Sequence, residues 1–284
     1  MKIPFSKTVK QAPKLGVKKL FYLFIFDILD FAFKRLRRFP RGVALIETCT
    51  KHKMLVRLGS NVKIDNDIHR NLFQCKIREP YLTAFLFSSK ILKKGDVVLD
   101  IGSNIGYYVL IEAGLVGKEG LVYAVEPVEE NARWLGANIA LNGYKNVKIF
   151  NIAFGDYNGK ISINIAEASN LSSVTKNSGV KYLRKDEVEV RTVDDFLADK
   201  RNPKLIRMDV EGYEYEILKG MRQTLERVKP LSVFVELHCF MLSKKEIREI
   251  VQMFRDNSFK IRFMASCPIT PEPTFLTVLR KKLE

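Results

Sequence analysis

Apolar and polar positions alternate in two different periods from residue 94 to the end of the chain. Short apolar runs predict buried strands, and longer segments with an apolar residue every three or four positions predict helices. The strands are predicted at 97–101, 121–126, 147–154, 204–209, 231–237, 260–265 and 274–280, and the helices at 105–116, 128–141, 213–228 and 243–257. This rhythm predicts an α/β fold with a doubly wound, mostly parallel sheet and helices on both faces.

Two segments depart from the regular alternation. Residues 160–166 and 187–192 bracket a polar stretch, where a plain strand–helix–strand unit would place a helix. The last two predicted strands are separated by residues 267–273, a turn-rich link that contains three prolines. This link is too short for a crossover helix, so the two strands are predicted to pair as an antiparallel C-terminal hairpin.

The chain before residue 91 predicts an N-terminal extension made of helix and short strands. Residues 1–41 read as a basic amphipathic helical region whose apolar run, 20–33, contains two aspartates. That run is shorter than the ~20 residues of a bilayer span, and it lacks the cleavage site of a signal peptide. Residues 42–90 are predicted to form a cap ahead of the main domain at 91–284, with strands near 54–58 and 62–64 and a helix over 80–92.

The net charge of +16 is concentrated at the front of the chain. Residues 1–41 hold 11 Lys and Arg against two acidic residues, and residues 42–94 hold 10 against four. A basic amphipathic helix is typical of segments that lie on an anionic membrane surface, and residues 14–41 are the candidate here. The same helix could instead pack on the main domain or on a second subunit. Nucleic acid is a less favoured partner, because the chain has no Gly-aromatic RNA-binding motif.

Cysteine usage indicates the compartment. The four cysteines include no C-x-x-C pair, so neither a zinc site nor a disulfide framework is predicted. Reduced thiols are typical of cytoplasmic proteins. We therefore expect a cytoplasmic protein, in which the basic front end could hold it on the inner face of the cell membrane.

The segment DIGSNIG at 100–106 follows the first strand of the main domain. Asp100 stands at the carboxyl end of that strand, where ligands bind in open α/β sheets. Gly102 would let the backbone approach a ligand, and Gly106 would let the next helix start near the strand. Ser103 and Asn104 are candidate caps of that helix. The spacing is not the G-x-G-x-x-G of a dinucleotide site, and the acid suits the cationic groups of S-adenosylmethionine.

The next two strand ends extend this predicted site. Glu126 and Pro127 close the second strand, 26 residues after Asp100. An acid at this point can accept hydrogen bonds from both ribose hydroxyls. Ala153 lies at the end of the third predicted strand, where an apolar group could flank the adenine. Because the three strand ends fall at one edge of the sheet, they predict a single S-adenosylmethionine site.

Five segments together resemble the FkbM-type methyltransferases, and the resemblance covers roughly residues 75–240. They are GDVVLDIGSNIGYY, VYAVEPVEENARWLGANIALNG, RTVDDFL, IRMDVEGYEYEILKG and VFVELH. The resemblance implies a class I (Rossmann-like) methyltransferase fold, S-adenosylmethionine as methyl donor, and O-methylation of hydroxyls on sugars, polyketides or related metabolites. The family usually carries a Glu-Pro pair ahead of the first strand, matched here by Glu79 and Pro80, which adds Glu79 to the cofactor-binding candidates.

Candidates for the chemistry lie at the ends of the fourth and fifth strands. Methyl transfer to an alcohol requires that the nucleophile be aligned and its proton removed. Glu236 and His238 should point into one cleft, because side chains alternate along a strand. His238 is the predicted general base, unless it merely caps the strand end. Glu236 and Asp209 are the other catalytic candidates.

Asp209 and Glu211 have a second predicted role, in contacting the methionine part of the cofactor or orienting the acceptor. Glu211 could instead cap the helix that follows. With Glu214 and His238 they could also form an oxygen-rich Mg²⁺ site. The leading prediction nevertheless includes no metal.

The leading functional prediction is O-methylation of a hydroxylated small molecule, glycan or lipid acceptor, with Ser172 and Ser173 lining the acceptor pocket. The alternative is an RNA or protein methyltransferase that uses the basic N-terminus to bind a polyanion. Against the alternative, no N/D-P-P-[YFW] motif for amino-group methylation follows the fourth strand, where MDVEGYE stands. A third possibility, a binding module without turnover, is disfavoured by the intact cofactor motif.

Overall fold

A computed structural model describes residues 42–58, 83, 86–87, 91–166, 172–174, 180–266 and 274–281. The chain divides into two compact units, residues 1–80 and 81–284. Within the described ranges, no helix is long and apolar enough to cross a bilayer. Outside these ranges lie the predicted helix at 1–41, the predicted strand at 62–64, Glu79 and most of the predicted helix at 80–92.

In the first unit, β1 (Gly42–Glu47) and β2 (Lys53–Leu58) form an antiparallel hairpin. Met54 and Val56 of β2 are fully buried. β2 corresponds to the strand predicted at 54–58, whereas β1 was not predicted. Val43 and Leu45 of β1 are exposed and Ile46 is buried. Because residues 43–46 are all apolar, β1 lacks the alternation of apolar and polar positions by which a half-buried strand is recognised.

The second unit contains ten strands and six helices within its described residues. The strands are β3 (Val97–Ile101), β4 (Leu121–Val125), β5 (Val147–Phe150), β6 (Ala153–Phe154), β7 (Gly159–Ala166), β8 (Tyr182–Arg191), β9 (Leu205–Met208), β10 (Leu231–His238), β11 (Lys260–Ser266) and β12 (Thr274–Lys281). The helices are α1 (Tyr107–Val116), α2 (Glu129–Leu141), α3 (Val193–Phe196), α4 (Glu214–Lys219), α5 (Arg222–Arg227) and α6 (Lys244–Asp256).

The main sheet has seven strands in the order β11-β12-β10-β9-β3-β4-β5. The five strands from β10 to β5 are parallel, and β12 pairs antiparallel with both β10 and β11. The predicted parallel sheet with an antiparallel C-terminal hairpin is therefore confirmed. The chain builds outward from β3 to β5 and then returns to place β9 on the other side of β3. Ligands bind at the carboxyl ends of the strands at such a reversal.

The single strand predicted at 147–154 is wrong, because the chain leaves the main sheet partway along it. β5 pairs with β4, whereas β6 joins a separate three-stranded sheet with the order β6-β8-β7. Asn151 lies at the break, and its side-chain amide donates to the carbonyl oxygens of Glu126 and Pro127 at 2.8 and 2.9 Å. These two hydrogen bonds turn the chain toward the second sheet. That sheet stands where a regular strand–helix–strand unit would have a helix.

The single helix predicted at 213–228 is also wrong, since it is divided into α4 and α5. Gly220 ends α4, and a Cβ there would lie 1.9 Å from the carbonyl oxygen of Gly155. The carbonyl of Gly220 accepts a hydrogen bond from the backbone of Asp194 at 3.0 Å. The Asp194 carboxylate accepts backbone hydrogen bonds from Gln223 and Thr224 in the first turn of α5. Contacts with distant parts of the chain therefore set the break.

Candidate active site

Asp100 lies at the carboxyl end of the central strand β3, and its side chain is fully buried. Its carboxylate accepts a hydrogen bond from Ser103 Oγ at 2.8 Å and one from Arg207 Nη1 at 3.4 Å. Arg207, on the neighbouring strand β9, also donates to Asp209 at 3.1 Å and lies over the ring of Tyr108. The sequence predicted that the Asp100 carboxylate faces the cofactor. The structure turns it inward, because β9 places a guanidinium beside it.

Arg207 and Glu112 belong to this buried network and were not predicted as site residues. Glu112, on α1, is completely buried. Burial, together with repulsion from Asp100, raises the pKa of Glu112 well above its usual range. The sequence does carry a signal for both residues, since each is the one charged residue in an otherwise apolar strand or helix. A buried charge of this kind is seldom tolerated without a partner.

The two loop glycines are required by contacts within the protein. Both have left-handed backbone angles, with φ of 82° at Gly102 and 95° at Gly106. A Cβ at Gly102 would lie 1.9 Å from the carbonyl oxygen of Asp209, and one at Gly106 would lie 2.5 Å from Leu135 Cδ1. The backbone at Gly102 thus passes close to the end of β9, and its approach to a ligand stays a prediction.

The predicted helix caps are wrong. α1 begins after Gly106 and has no side-chain cap. The Ser103 hydroxyl instead donates to the carboxylate and carbonyl of Asp100, and Asn104 Oδ1 accepts from its neighbour Ile105 at 2.8 Å. A capping side chain belongs to the N-cap residue, which stands directly before the helix. That residue is Gly106, so Ser103 and Asn104 lie too early in the chain. No side chain caps α4 either, which excludes that role for Glu211.

Glu126, at the end of β4, is buried and held from three sides. Its Oε2 accepts from the backbone of Asn104 at 2.8 Å, and its Oε1 accepts from the backbone of Val128 at 3.0 Å and from Asn131 Nδ2 at 3.3 Å. Burial raises the pKa of Glu126 to about 7, although the hydrogen bonds from Val128 and Asn104 oppose the shift. A carboxylate has about four acceptor positions, so this one retains capacity for a ligand hydroxyl.

A cleft opens at the carboxyl ends of β3, β4 and β9, the edge of an open α/β sheet at which ligands bind. The predicted residues that line it are Gly102, Asn104, Glu126, Pro127, Ala153, Ser172, Ser173, Asp209 and Glu211. Asn131 also lines it and was missed; its Oδ1 is buried and has no hydrogen-bond partner among the described residues. The predicted residues outside the lining are Asp100, Ser103, Gly106, Glu236 and His238.

His238 ends β10 and is buried among carboxylates that come from the segment after β9. Its Nδ1 lies 2.7 Å from Glu214 Oε1. Its Nε2 lies 3.5 Å from Glu211 Oε2 and 3.9 Å from Glu236 Oε1. Glu236 and His238 therefore lie together, as strand alternation predicted, and the structure adds Glu211 and Glu214 to them.

The surroundings of His238 set its protonation state. Burial lowers the pKa of His238, but the hydrogen bond to Glu214 and the charges of Glu214, Glu211 and Asp209 outweigh it and raise the pKa to about 10. An imidazolium has no lone pair with which to accept a proton. This differs from the neutral imidazole expected of a general base, because the sequence did not show that three carboxylates converge on the ring.

We expect Glu126 to make cofactor affinity depend on pH. Hydrogen bonds to an ionised carboxylate are stronger than those to a neutral acid, so affinity for S-adenosylmethionine should rise as pH increases from 6 to 8 through the raised pKa. We expect Glu126→Gln to lower affinity at pH 8 about tenfold or more and to flatten this rise. Calorimetry across the pH range measures both effects.

The matched control for this prediction is Glu129→Gln, at an exposed acid on α2 that pairs with Arg133. It should keep the affinity and the pH dependence of the unchanged protein, including any contribution from titration of the ligand itself. Equal pH profiles in the two variants would show that Glu126 does not contact the cofactor.

The parallel sheet with a reversal at β3 and β9, the antiparallel hairpin and the cleft with an acid at the end of β4 define a class I methyltransferase domain. A profile of the methyltransferase FkbM domain matches residues 100–261, more than half of the chain. The chain belongs to this family, as the motifs predicted, and the family uses S-adenosylmethionine as methyl donor. Glu126, Ala153 and the lone acceptor of Asn131 fit the ribose and adenine of that cofactor.

Solved and curated relatives agree at the level of fold and family. The crystal structure of methyltransferase FkbM from Methylobacillus flagellatus KT matches with a TM-score of 0.51 and 16% identity, over 75% of this chain and 52% of that chain. The hexuronic acid methyltransferase AglP of Haloferax volcanii is 28% identical over 187 residues, covering 60% of this chain and 71% of that protein.

A second group of relatives shares a shorter segment. The protein-L-isoaspartate O-methyltransferase of Ignicoccus hospitalis is 36% identical over 73 residues, or 26% of this chain. The match spans 35% of that protein's length, so it supports the methyltransferase class without extending to the acceptor.

Proposed function

We propose that the protein transfers a methyl group from S-adenosylmethionine to a hydroxyl of a glycan, a lipid-linked sugar or a related metabolite. The observation that carries this proposal is the pair of carboxylates, Asp209 and Glu211, in the wall of the same cleft that contains Glu126. Carboxylates beside the transferable methyl group suit an acceptor that must lose a proton.

Three further observations favour an oxygen atom of a sugar as the methylated atom. AglP of Haloferax volcanii, by its name a hexuronic acid methyltransferase, aligns with 60% of this chain. The segment after β9 reads DVEG, in place of the N/D-P-P-[YFW] motif that enzymes use to methylate amino groups. The cleft wall also includes Ser172 and Ser173, whose hydroxyls suit a polyhydroxylated acceptor.

In the proposed reaction, bound S-adenosylmethionine supplies a methyl carbon, to which the acceptor oxygen bonds while the carbon–sulfur bond breaks and its electron pair stays on sulfur. Glu126 and Asn131 hold the ribose. Asp209 accepts the hydroxyl proton and passes it to solvent. Arg207 donates to Asp209 at 3.1 Å, which orients the carboxylate, since a positioned base requires a fixed geometry.

The proposal is tested with radiolabelled S-adenosylmethionine and fractionated cell extract. We expect label in a glycan or lipid-linked glycan fraction, stable to mild base, which hydrolyses methyl esters but not methyl ethers. Label in RNA or protein would overturn the proposal in favour of a polyanion acceptor held by the basic N-terminus.

Within that assay, Asp209→Asn should lower the rate about 100-fold, the range of general base catalysis, with little change in cofactor affinity. Asp199→Asn, at an exposed acid that pairs with Lys200, is the matched control and should retain full rate. A full rate in Asp209→Asn would remove Asp209 from the mechanism.

The membrane-surface role of residues 14–41 belongs to the same proposal. A basic amphipathic helix on anionic lipid would bring the cleft to acceptors that are anchored in the membrane. Deleting residues 1–41 should abolish binding to anionic liposomes and leave cofactor binding intact. Unchanged liposome binding would overturn this role.

A further inference from the structure

We infer that Asp209, Glu211 and His238 form a binding site for a divalent cation in the wall of the cleft. One potential ligand atom from each residue, two carboxylate oxygens and an imidazole nitrogen, lies within 4.8 Å of the other two. Ligand atoms around an octahedral cation at about 2.1 Å are about 3 Å apart when adjacent and about 4.2 Å apart when opposite. Small side-chain rotations therefore suffice to bring the three atoms to a common ion.

One ring nitrogen of His238 is hydrogen-bonded to a carboxylate, as in metal-bound histidines. His238 is 4% exposed, and its Nδ1 is engaged with Glu214 Oε1 at 2.7 Å. Metal-ligating histidines almost always use one ring nitrogen to hydrogen-bond a carboxylate, which fixes the ring and directs the other nitrogen at the ion. The Nε2 atom of His238 lies 3.5 Å from Glu211 Oε2 and 3.9 Å from Glu236 Oε1.

The negative charges around the His238 ring also favour the binding of a cation. Four carboxylates, those of Asp209, Glu211, Glu214 and Glu236, lie around His238, and Arg207 donates to Asp209 at 3.1 Å. A divalent ion would add positive charge among carboxylates that are costly to bury unpaired.

The donor set indicates the kind of cation. Carboxylate oxygens suit Mg²⁺ and Mn²⁺, whereas imidazole suits first-row transition ions. A site with one nitrogen and two oxygens therefore matches Mn²⁺ better than Mg²⁺. Asp209 and Glu211 line the cleft, so the remaining coordination positions would face the space where the acceptor binds.

The catalytic use of this ion rests on the proposed function, whereas its binding does not. With the cation in place, Asp209 would be a ligand, and the proton of an ion-bound acceptor hydroxyl would leave to water. Cation binding is therefore measured first, without turnover.

The experiment uses the full chain stripped of metals with a chelator and titrated with Mn²⁺ by calorimetry. We expect one site per chain and at least a tenfold weaker Kd in Glu211→Gln and in Asp209→Asn. Glu216→Gln is the matched control, since this half-buried acid on α4 pairs with Lys219 outside the proposed site. It removes one local negative charge and should leave the Mn²⁺ affinity unchanged.

Pulsed electron paramagnetic resonance then reports on the imidazole, because His238 variants could fail to fold. Bound Mn²⁺ should show coupling to one imidazole nitrogen. The inference is overturned if Mn²⁺ does not bind at millimolar concentration, if Glu211→Gln binds as tightly as Glu216→Gln, or if the nitrogen coupling is missing. Transfer of label to a glycan in the presence of chelator would overturn the catalytic use and leave the proposed methyltransferase function standing.

Discussion

Replacing Gly102 by alanine should destabilise the protein by about 3–5 kcal/mol and abolish cofactor binding under conditions where the unchanged protein binds. A non-glycine residue held at a left-handed angle costs about 1–3 kcal/mol, and φ at Gly102 is 82°. The added Cβ would in addition meet the carbonyl oxygen of Asp209 at 1.9 Å. Since that oxygen belongs to the backbone, β3 and β9 must separate at their carboxyl ends, where the cleft is built.

The matched control for Gly102→Ala is Gly95→Ala. Gly95 has nearly the same angle, φ 86°, but a Cβ there would meet nothing within 4 Å. This variant should cost about 1 kcal/mol, which is the strain of the backbone angle alone. Urea unfolding gives both free energies, and calorimetry gives the affinity for S-adenosylmethionine. Equal losses in the two variants would contradict the argument from close approach to β9.

Replacing Arg207 by methionine should cost about 3–5 kcal/mol of folding stability, because it leaves buried Asp100 without its charge partner. Arg207 is 4% exposed and Asp100 is fully buried. Arg207 also holds Asp209 at 3.1 Å, so the variant should lose the orientation of the cleft carboxylate as well. Urea unfolding measures the first effect, and the rate of methyl transfer measures the second.

A double-mutant cycle separates the charge pair from packing. Asp100→Asn should restore part of the stability of Arg207→Met, because the uncompensated charge is then removed, whereas it should destabilise the unchanged protein. Arg133→Met, at an exposed arginine on α2, should change stability by less than about 0.5 kcal/mol. Additive losses from Asp100→Asn and Arg207→Met would mean that the two groups are not energetically coupled.

The alternation of apolar and polar positions was enough to predict where most strands of the main sheet lie and that most of them pair in parallel. β3, β4, β9 and β10 are buried strands with apolar runs, so their positions are visible without tertiary contacts. The short proline-rich link before β12 was enough to predict the antiparallel hairpin, because too few residues are available for a crossover. Strand ends at one edge of a parallel sheet were likewise enough to place Glu126 and Asp209 in one cleft.

Errors arose where a contact from a distant segment decides the local structure. The strand predicted at 147–154 is cut by the tie from Asn151 to the carbonyls of Glu126 and Pro127. The helix predicted at 213–228 is cut at Gly220, which passes against the backbone of Gly155. Neither break is visible in the periodicity of apolar positions, because the residues on both sides of each break have the same strand or helix propensity.

The sequence by itself determined the fold class, the family, the cofactor and the strand ends at which the site is built, because these follow from periodicity and from short motifs. The tertiary structure alone decided what each charged group does. Asp100 meets Arg207 across 107 residues of chain, and His238 meets Glu214 across 24. Charge state depends on burial and on the distance to other charges, and those distances exist only once β3, β9 and β10 lie side by side.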